Sequence, residues 1–286
     1  MSILVLGATG NTGQAIVSQL KNTSESFSIM TTDKNNADKL ELQSKQIKIG
    51  NYDDVASMVS AFQGIEKLYL VMPIHPKVID WVTNVIAAAK QAGVKHIVKQ
   101  SGLKAPKTAK SEVIRDHAHT DQLIKDSGLD YTLIQPNTFF QSFYGNLPTI
   151  NAEGQFYSAL GETALSLVDI NDVAAVAVAA LTEDGHAGKT HLLTGAEALT
   201  SSEHAEILSQ ASGKTINYID VPEAVIIDVL KGAGLGDWLS EKIGEMLTWF
   251  TEGDYSQTTT TIENVLGRKP RSFADFATEL AHSIDK

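Results

Sequence analysis

The chain has 286 residues, a formal net charge of −11 at pH 7 and no cysteine. This length suits one large domain or two fused ones, and an acidic surface disfavours direct contact with nucleic acid or anionic membranes. Without cysteine there can be no disulfide, thiolate nucleophile or zinc–thiolate site, which fits a reducing compartment. We therefore expect a cytoplasmic protein without a signal peptide, a nucleic-acid partner, a membrane partner or a bound metal.

The first predicted strand, residues 3–6, runs directly into three glycines, Gly7, Gly10 and Gly13, and then into a helical pattern. A strand, a glycine turn and a helix in this order are typical of a dinucleotide-binding site. Gly7 would permit the tight turn, Gly10 would let the main chain approach a pyrophosphate, and Gly13 would let the helix pack closely on the strand. The N–H groups at the helix N-terminus would then face the phosphates. A glycine turn without a ligand is the weaker alternative.

Strand-like runs alternate with helical patterns through the first half of the chain. Further strands are predicted at 27–31, 46–49, 67–71, 96–98 and 131–134. Helices are predicted between them at about 35–42, 53–62, 76–92 and 111–127. This alternation predicts an α/β fold, a doubly wound parallel sheet (Rossmann fold) with helices on both faces.

The alternation breaks near residue 140. Strands at 166–168 and 190–193, on either side of a helix at 171–182, are predicted to return to the main sheet, with Asp169 or Asn171 as the N-cap of that helix. The last third is predicted to be mostly helical, at about 201–212, 222–233, 236–251 and 272–284, with a short strand near 216–220. We expect an NAD(P)-binding Rossmann domain at 1–150, to which 166–196 returns, and a smaller substrate or lid domain at 197–286.

A second signal follows the second predicted strand. Asp33 lies twenty residues after Gly13, where dinucleotide-binding sites place an acidic residue on the adenosine ribose. A carboxylate there favours NAD, because it repels a 2′-phosphate. Lys34 and the hydroxyls of Thr31 and Thr32 could instead accept that phosphate, and a solvated turn is a third interpretation. The residues leave the choice between NAD and NADP open.

Several segments, in order, resemble the NmrA-like branch of the atypical short-chain dehydrogenases. They are residues 7–13, 88–98, 127–137, 167–173, 193–199 and 266–273. The resemblance covers essentially the whole chain, and within the branch it is similar to type-2 quinone oxidoreductases and triphenylmethane reductases. Those enzymes reduce small aromatic acceptors with NADPH, whereas other members of the branch are regulators that bind the dinucleotide without known chemistry.

The resemblance implies a cofactor site spread over several loops. Its residues would be Gly7, Thr9, Gly10, Asn11, Thr12 and Gly13 at the pyrophosphate, Thr32 and Asp33 at the adenosine ribose, Asn51 and Tyr52 at the adenine, and Met72, Pro73 and Ser101 at the nicotinamide. The family often has arginine at the position of Thr32 and more often aspartate at that of Asn51. These departures leave the preference for NADP open.

Short-chain dehydrogenases generally use a tyrosine acid with a lysine four residues later, and none of the seven tyrosines here has a lysine at that position. The resemblance instead places His117 where the branch has an active-site lysine. A neutral imidazole could donate a hydrogen bond to the cofactor ribose or to an acceptor oxygen, and its protonated form could supply a proton near neutral pH. A structural histidine is the alternative. His119, two positions on, lies on a different helix face.

Asn137, Phe140, Phe143 and Tyr144 follow the sixth predicted strand, at the edge where doubly wound sheets bind ligands. An aromatic cluster suits a flat apolar substrate, and inter-domain core is the equal alternative. Because the tyrosine–lysine pair is missing, an acceptor that delocalises the charge of the incoming hydride is favoured over a simple ketone. Quinones, azo compounds and cationic dyes have this property.

We therefore expect an NAD(P)H-dependent oxidoreductase that passes hydride to a quinone or a similar small aromatic acceptor. The alternative is a non-catalytic NAD(P)-sensing regulator that acts through protein partners. A sugar-nucleotide epimerase is less favoured, because that chemistry ordinarily uses the missing pair. The residues leave the oligomeric state, including a homodimer, open.

Overall fold

The computed structural model describes residues 2–284, and strands and helices alternate through their first half as predicted. The strands are β1 Ser2–Leu6, β2 Ser26–Thr31, β3 Ile47–Ile49, β4 Lys67–Leu70, β5 His96–Gln100, β6 Asp130–Pro136, β7 Gln155–Ser158, β8 Lys189–Leu193 and β9 Asn217–Asp220. The α-helices are α1 Asn11–Leu20, α2 Val55–Ala61, α3 Val78–Ala92, α4 Glu112–Lys125, α5 Leu147–Glu153, α6 Ile170–Thr182, α7 Ser201–Ser212, α8 Glu223–Gly232, α9 Asp237–Glu252, α10 Thr261–Leu266 and α11 Phe273–Ala281. Short 3-10 helices lie at Lys34–Leu40, Ser44–Gln46 and Phe140–Asn146.

Seven strands form one sheet in the order β3-β2-β1-β4-β5-β6-β8. The pairings from β3 through β6 are parallel. The Gly188 N–H donates to the Tyr131 carbonyl and the Asn137 N–H to the Leu193 carbonyl, so β8 runs in the same direction as β6. The strand order reverses beside β1, and doubly wound sheets bind ligands in the crevice outside the carboxyl ends of the strands at this point. The predicted Rossmann-type fold is confirmed.

The sheet is buried because its strands carry apolar residues on both faces. Ile3, Leu4, Val5 and Leu6 of β1 are all fully inaccessible to solvent, as expected for a parallel sheet covered by helices on both sides. One of these faces packs against apolar residues of α2, α3 and α4. Ile97 of β5 belongs to that cluster.

The described residues divide into two compact units. The first comprises residues 2–107, 116–136 and 173–192, and the second comprises 108–115, 137–172 and 193–284. The predicted boundary at residue 150 puts residues 137–150 in the first domain, whereas the structure puts them in the second unit. The reason is a segment that the sequence did not predict: α5 leads into β7, which pairs in parallel with β9 in a separate two-stranded sheet.

Residues 166–168 also differ from the prediction. The Ser166 N–H donates to the Tyr255 carbonyl and the Val168 N–H to the Thr138 carbonyl. Because loop residues take up these main-chain groups, the segment forms only isolated bridges. Within the stretch 166–196, β8 is the part that lies in the seven-stranded sheet.

The C-terminal part is mostly helical, as predicted, with α7 to α11 around β9. Asp169 caps α6, since its Oδ1 accepts the Asn171 N–H at 2.7 Å. The same carboxylate is paired with Arg271 at 3.0 Å, and Asp172 is paired with Arg268 at 2.7 Å. Asp169 therefore has the capping role that the sequence favoured for it, and Asp172 holds a structural ion pair.

Candidate cofactor and active site

The glycine turn at the carboxyl end of β1 leaves no room for side chains at two of its three glycines. Gly7 has a φ of +73°, and a Cβ atom there would lie 2.6 Å from the carbonyl oxygen of Val71. A Cβ atom at Gly13 would lie 2.2 Å from the Gly7 carbonyl oxygen. Gly7 and Gly13 therefore have the two packing roles proposed for them: a tight turn and close contact between helix and strand.

Gly10 is different, because a Cβ atom there would meet only the Gly7 carbonyl oxygen, at 3.5 Å. Gly10 is also the N-cap of α1, and no side chain of residues 2–284 caps this helix end by a hydrogen bond. Both Gly10 and Asn11 are exposed, whereas Thr12 is buried. An uncapped helix N-terminus with free N–H groups and a bare glycine in front of it has the features that bind a diphosphate. The turn thus fits the cofactor proposed for it.

Thr32 and Asp33 follow β2 and are exposed to solvent. Asp33 accepts the Asn35 N–H at 3.0 Å, so its carboxylate caps the 3-10 helix Lys34–Leu40. The Thr31 hydroxyl donates to the Asp33 carbonyl at 2.9 Å and stabilises the same turn. The carboxylate is therefore held in place at the end of the second strand while remaining open to solvent.

Asn51 and Tyr52 follow β3, and Tyr52 is the better buried of the two. Burial raises the pKa of Tyr52 to about 12, against a smaller lowering by a hydrogen bond with the Gly7 main chain. This bond joins the predicted adenine residue to the glycine turn. The Tyr52 ring packs against Trp81 with 5.5 Å between the ring centroids, and Trp81 in turn stacks on His75 at 4.0 Å.

Trp81 was not predicted as part of this region, although it lies in the first turn of α3. Its indole Nε1–H donates to Asp53 at 3.0 Å, and Lys77 is paired with the same carboxylate at 3.1 Å. No feature of the local sequence distinguishes this tryptophan from an ordinary core residue. The contact with Tyr52 arises only because the loop after β3 lies beside α3.

Met72 and Pro73 lie in the loop after β4, where Met72 is half-buried and Pro73 is exposed. Val71, directly before them, is the residue that closes on Gly7. The structure therefore brings the loop after β4 beside the glycine turn. Both loops lie at the point where the strand order reverses.

Ser101 and His117 lie close together in the structure, although 16 positions separate them in the sequence. Ser101 follows β5, is buried, and donates from Oγ to Asp121 Oδ2 at 2.9 Å. His117, on α4, rests against the next residue of the loop, since a Cβ atom at Gly102 would lie 3.1 Å from its Cδ2. His119 is exposed, on the other side of the helix, as predicted.

The pKa of His117 decides between the two roles suggested by the sequence, a neutral hydrogen-bonding group and a proton donor. Burial and, to a smaller extent, the Lys99 ammonium lower its pKa to about 4, while Asp121 acts in the opposite direction. The imidazole is therefore neutral at physiological pH. It can donate or accept a hydrogen bond there, whereas supplying a proton from an imidazolium near neutral pH is not supported.

A buried polar cluster that the sequence did not predict lies beside His117. Lys99 Nζ is 2.8 Å from Asp121 Oδ1, with side-chain exposures of only 3% and 6%. Gln135 Nε2 donates to Asp121 Oδ2 at 2.8 Å, alongside Ser101. Two features of the sequence could have indicated the cluster. One is a lysine within an apolar strand, and the other is an aspartate four residues after His117, on the same face of the helix.

The predicted substrate residues lie in the second unit, and most have protein partners. Asn137 is 3% exposed, and its Nδ2 donates to Ser166 Oγ and to the Tyr255 carbonyl, both at 3.0 Å. Phe140 and Phe143 are buried and pack edge-on or tilted against Phe273 at 5.3 and 5.1 Å. This placement favours the alternative of a packing role for these three residues.

Tyr144 differs, because it is 40% exposed. Its hydroxyl donates to Glu279 Oε1 at 2.9 Å, and its ring packs edge-on against Phe276. Of the four residues predicted to contact the substrate, Tyr144 is the one with an accessible ring.

The second unit also contains a cavity of about 610 Å³ that the sequence did not predict. It opens where β7 and β9 end, and α9 closes one side. Its polar lining includes Glu162, Asp220 and Glu223. Each carboxylate already accepts a hydrogen bond from another side chain, namely Ser202, Tyr218 and Thr248, respectively.

Residues 2–284 contain no group of three or more histidine, aspartate or glutamate side chains arranged to hold a metal ion. None of the helices in this range is both long enough and apolar enough to cross a membrane.

Comparison with known proteins gives consistent relatives over the full length. The NAD(P)H azoreductase of Xenophilus azovorans is 31% identical over 275 residues, which cover 96% of each chain. The NADPH-dependent quinone oxidoreductase of Escherichia coli, solved in complex with NADPH, superposes with a TM-score of 0.86 at 29% identity and covers 97% of this chain and 99% of its own. The triphenylmethane reductase of Citrobacter sp., solved in complex with NADP(H), has a TM-score of 0.85 at 25% identity and covers 98% and 99%, respectively.

The sequence profile of the NmrA-like family matches residues 1–278. This match spans nearly the whole chain, including both compact units, and it agrees with the resemblance found in six separate segments. The chain belongs to the NmrA-like family.

Proposed function

We propose that this protein is an NAD(P)H-dependent reductase that transfers hydride to a quinone, an azo compound or a similar small aromatic acceptor. The observation that carries the proposal is the open N-terminus of α1. Gly10 has space in front of it and no described side chain caps the helix, while Gly7 and Gly13 are closed by main-chain contacts. A turn built in this way favours a bound diphosphate over a purely structural glycine loop.

The relatives support the acceptor class. An azoreductase, a quinone oxidoreductase and a triphenylmethane reductase all match this chain over at least 96% of its length. Their names share the reduction of conjugated acceptors, and two of their structures were solved with NADPH or NADP(H). NADP or NAD is accordingly the cofactor that we propose here.

Different residues along the carboxyl edge of the sheet would bind different parts of the dinucleotide. The turn at residues 7–13 would bind the pyrophosphate, Thr32 and Asp33 the adenosine ribose, and Asn51 and Tyr52 the adenine. Met72, Pro73 and Ser101 would line the nicotinamide side. When bound, the reduced nicotinamide supplies the hydride, and these residues position it.

His117 would act as a neutral hydrogen-bonding group rather than as an acid. Reduction of a quinone to a hydroquinone takes up one hydride and one proton, and the ring delocalises the charge before that proton arrives. An imidazole N–H can stabilise the developing oxygen charge by a hydrogen bond, and solvent delivers the proton. Because the acceptor is already activated, a tyrosine–lysine pair is not required for this chemistry.

We also propose that the protein acts in the cytoplasm, where reduced nicotinamide cofactors are available. The absence of cysteine is compatible with a reducing compartment.

The decisive experiment combines binding and turnover. Purified protein is titrated with NADPH and NADH by calorimetry, and nicotinamide absorbance is then followed with a benzoquinone, an azo dye and a cationic triphenylmethane dye. Loss of absorbance well above the uncatalysed rate supports the reductase. Tight binding without turnover of any acceptor would replace it with the regulatory function, and absence of binding would exclude both.

A further inference from the structure

The buried ion pair of Lys99 and Asp121 lies beside the proposed active site, but neither side chain has a part in the proposed reaction. Both side chains are almost inaccessible to solvent, at 3% and 6% exposure. Removing two charges from water is costly, and a buried pair recovers this cost only with good geometry and further hydrogen bonds. Stability alone is therefore a weak reason to keep such a pair.

The geometry around Asp121 meets these conditions. Its carboxylate accepts from Lys99 at 2.8 Å, from Ser101 at 2.9 Å and from Gln135 at 2.8 Å. These donors come from β5, from the loop after β5 and from β6. Asp121 thus ties α4 to the ends of two neighbouring strands and holds the Ser101 hydroxyl in one orientation.

His117 precedes Asp121 by one helical turn, so the two side chains lie on the same face of α4. The imidazole lies close to the main chain at Gly102, where a Cβ atom would come within 3.1 Å of its Cδ2. The charged groups that act on it are Lys99, on β5, and Asp121, on α4 itself. From β6 the cluster receives Gln135, which is uncharged.

We infer that Lys99 and Asp121 are positioning residues, which fix the Ser101 hydroxyl and balance each other's charge beside His117. The inference rests on the proposed function for its catalytic meaning. Asp121 alone would attract a proton to His117, and the Lys99 ammonium compensates this charge from 2.8 Å away. Burial is the main reason that His117 is neutral, and the compensated pair lets Asp121 hold Ser101 without opposing that state.

The test is a pH titration of the full-length protein without cofactor, monitored by NMR of the histidine ring protons. The signal of His117 is assigned as the one that His117→Gln lacks. In the wild-type protein the signal should keep its neutral position down to about pH 5, given a pKa of about 4. Lys99→Gln retains a donor for Asp121 but removes the compensating charge, so the midpoint should rise by about 1–3 pH units. Lys99→Arg should restore the wild-type midpoint. Lys95→Gln removes an exposed lysine just before β5 and serves as the matched control, with no shift expected.

An unchanged His117 midpoint in folded Lys99→Gln would overturn the inference. If Lys99→Gln does not fold, Asp121→Asn gives the same test with the opposite sign. The His117 midpoint should then fall or leave the accessible pH range. A rise in this midpoint would refute the proposed role of Asp121. The pH profile of kcat/KM with a benzoquinone adds a second readout, since Lys99→Gln should introduce an ionisation between about pH 5 and 7 that the wild-type enzyme lacks. The NMR measurement needs no turnover. The charge compensation can therefore be tested even if the protein proves not to be a reductase.

Discussion

The contrast between Gly10 and Gly13 offers the sharpest test of where the dinucleotide binds. Alanine at Gly13 would place Cβ 2.2 Å from the Gly7 carbonyl oxygen and 2.7 Å from the Ala8 Cα. These are main-chain atoms, which cannot rotate away. Overpacking of this kind costs about 1–3 kcal/mol or more. At roughly 2–4 °C per kcal/mol for a chain of this size, the apparent Tm of Gly13→Ala should fall by about 2–12 °C.

Gly10→Ala adds the same methyl group where the protein leaves space. The nearest protein atom to its Cβ is 3.5 Å away, and the φ of −78° suits alanine. The expected cost is below about 1 kcal/mol, mainly from a poorer N-cap residue. A bound pyrophosphate, however, would have to move away from the helix N-terminus and lose at least one charge-assisted hydrogen bond, worth about 1.5–3 kcal/mol. The dissociation constant should therefore rise about 10- to 100-fold.

The assay compares both variants with the wild-type protein by differential scanning fluorimetry and by isothermal titration of NADPH and NADH. Gly10→Ala should stay within about 4 °C of the wild-type Tm and lose affinity, whereas the main effect of Gly13→Ala should be a lower Tm. If Gly10→Ala binds both nucleotides within about twofold of the wild-type protein, the pyrophosphate does not lie against this turn. The binding sites assigned along the sheet edge would then have to be abandoned.

Three further outcomes follow from the structure. Asp33→Ala and Asp33→Asn both remove a charge near the proposed ribose, but asparagine keeps the cap of the 3-10 helix. Both variants should raise the affinity for NADPH relative to NADH. If the ratio of the two affinities is the same in both variants and in the wild-type protein, Asp33 does not lie near the ribose. His117→Ala should lower kcat by about tenfold or more, whereas exposed His119→Ala should leave it unchanged; equal losses would remove His117 from the mechanism. Burial lowers the pKa of His96 and of His191 to about 4, so the unfolded state binds more protons than the folded state below pH 6.5. Each should then cost about 1.4 kcal/mol of unfolding free energy per pH unit between 6.5 and 4, and urea midpoints that stay constant down to about pH 4.5 would contradict this.

The sequence was sufficient for the sheet and the glycine turn because both depend on local patterns. A fully apolar strand such as residues 3–6 is required wherever helices cover both faces of a sheet, and the spacing of Gly7, Gly10 and Gly13 reflects main-chain contacts within a few residues. The alternation of short apolar runs with helices then determines a parallel sheet, since parallel strands need a crossover connection. The family resemblance extended this reading to the cofactor loops.

The tertiary structure alone decided which side chains meet and in what state of charge. Lys99, Ser101, Asp121 and Gln135 come from separate elements, and no local pattern predicts their convergence around one carboxylate. The same holds for His117, whose neutral state comes from burial and from a lysine 18 positions away in the sequence. It holds also for Phe140 and Phe143, whose packing in the second unit depends on α11. Electrostatic and packing effects act through space, and only the folded chain sets those distances.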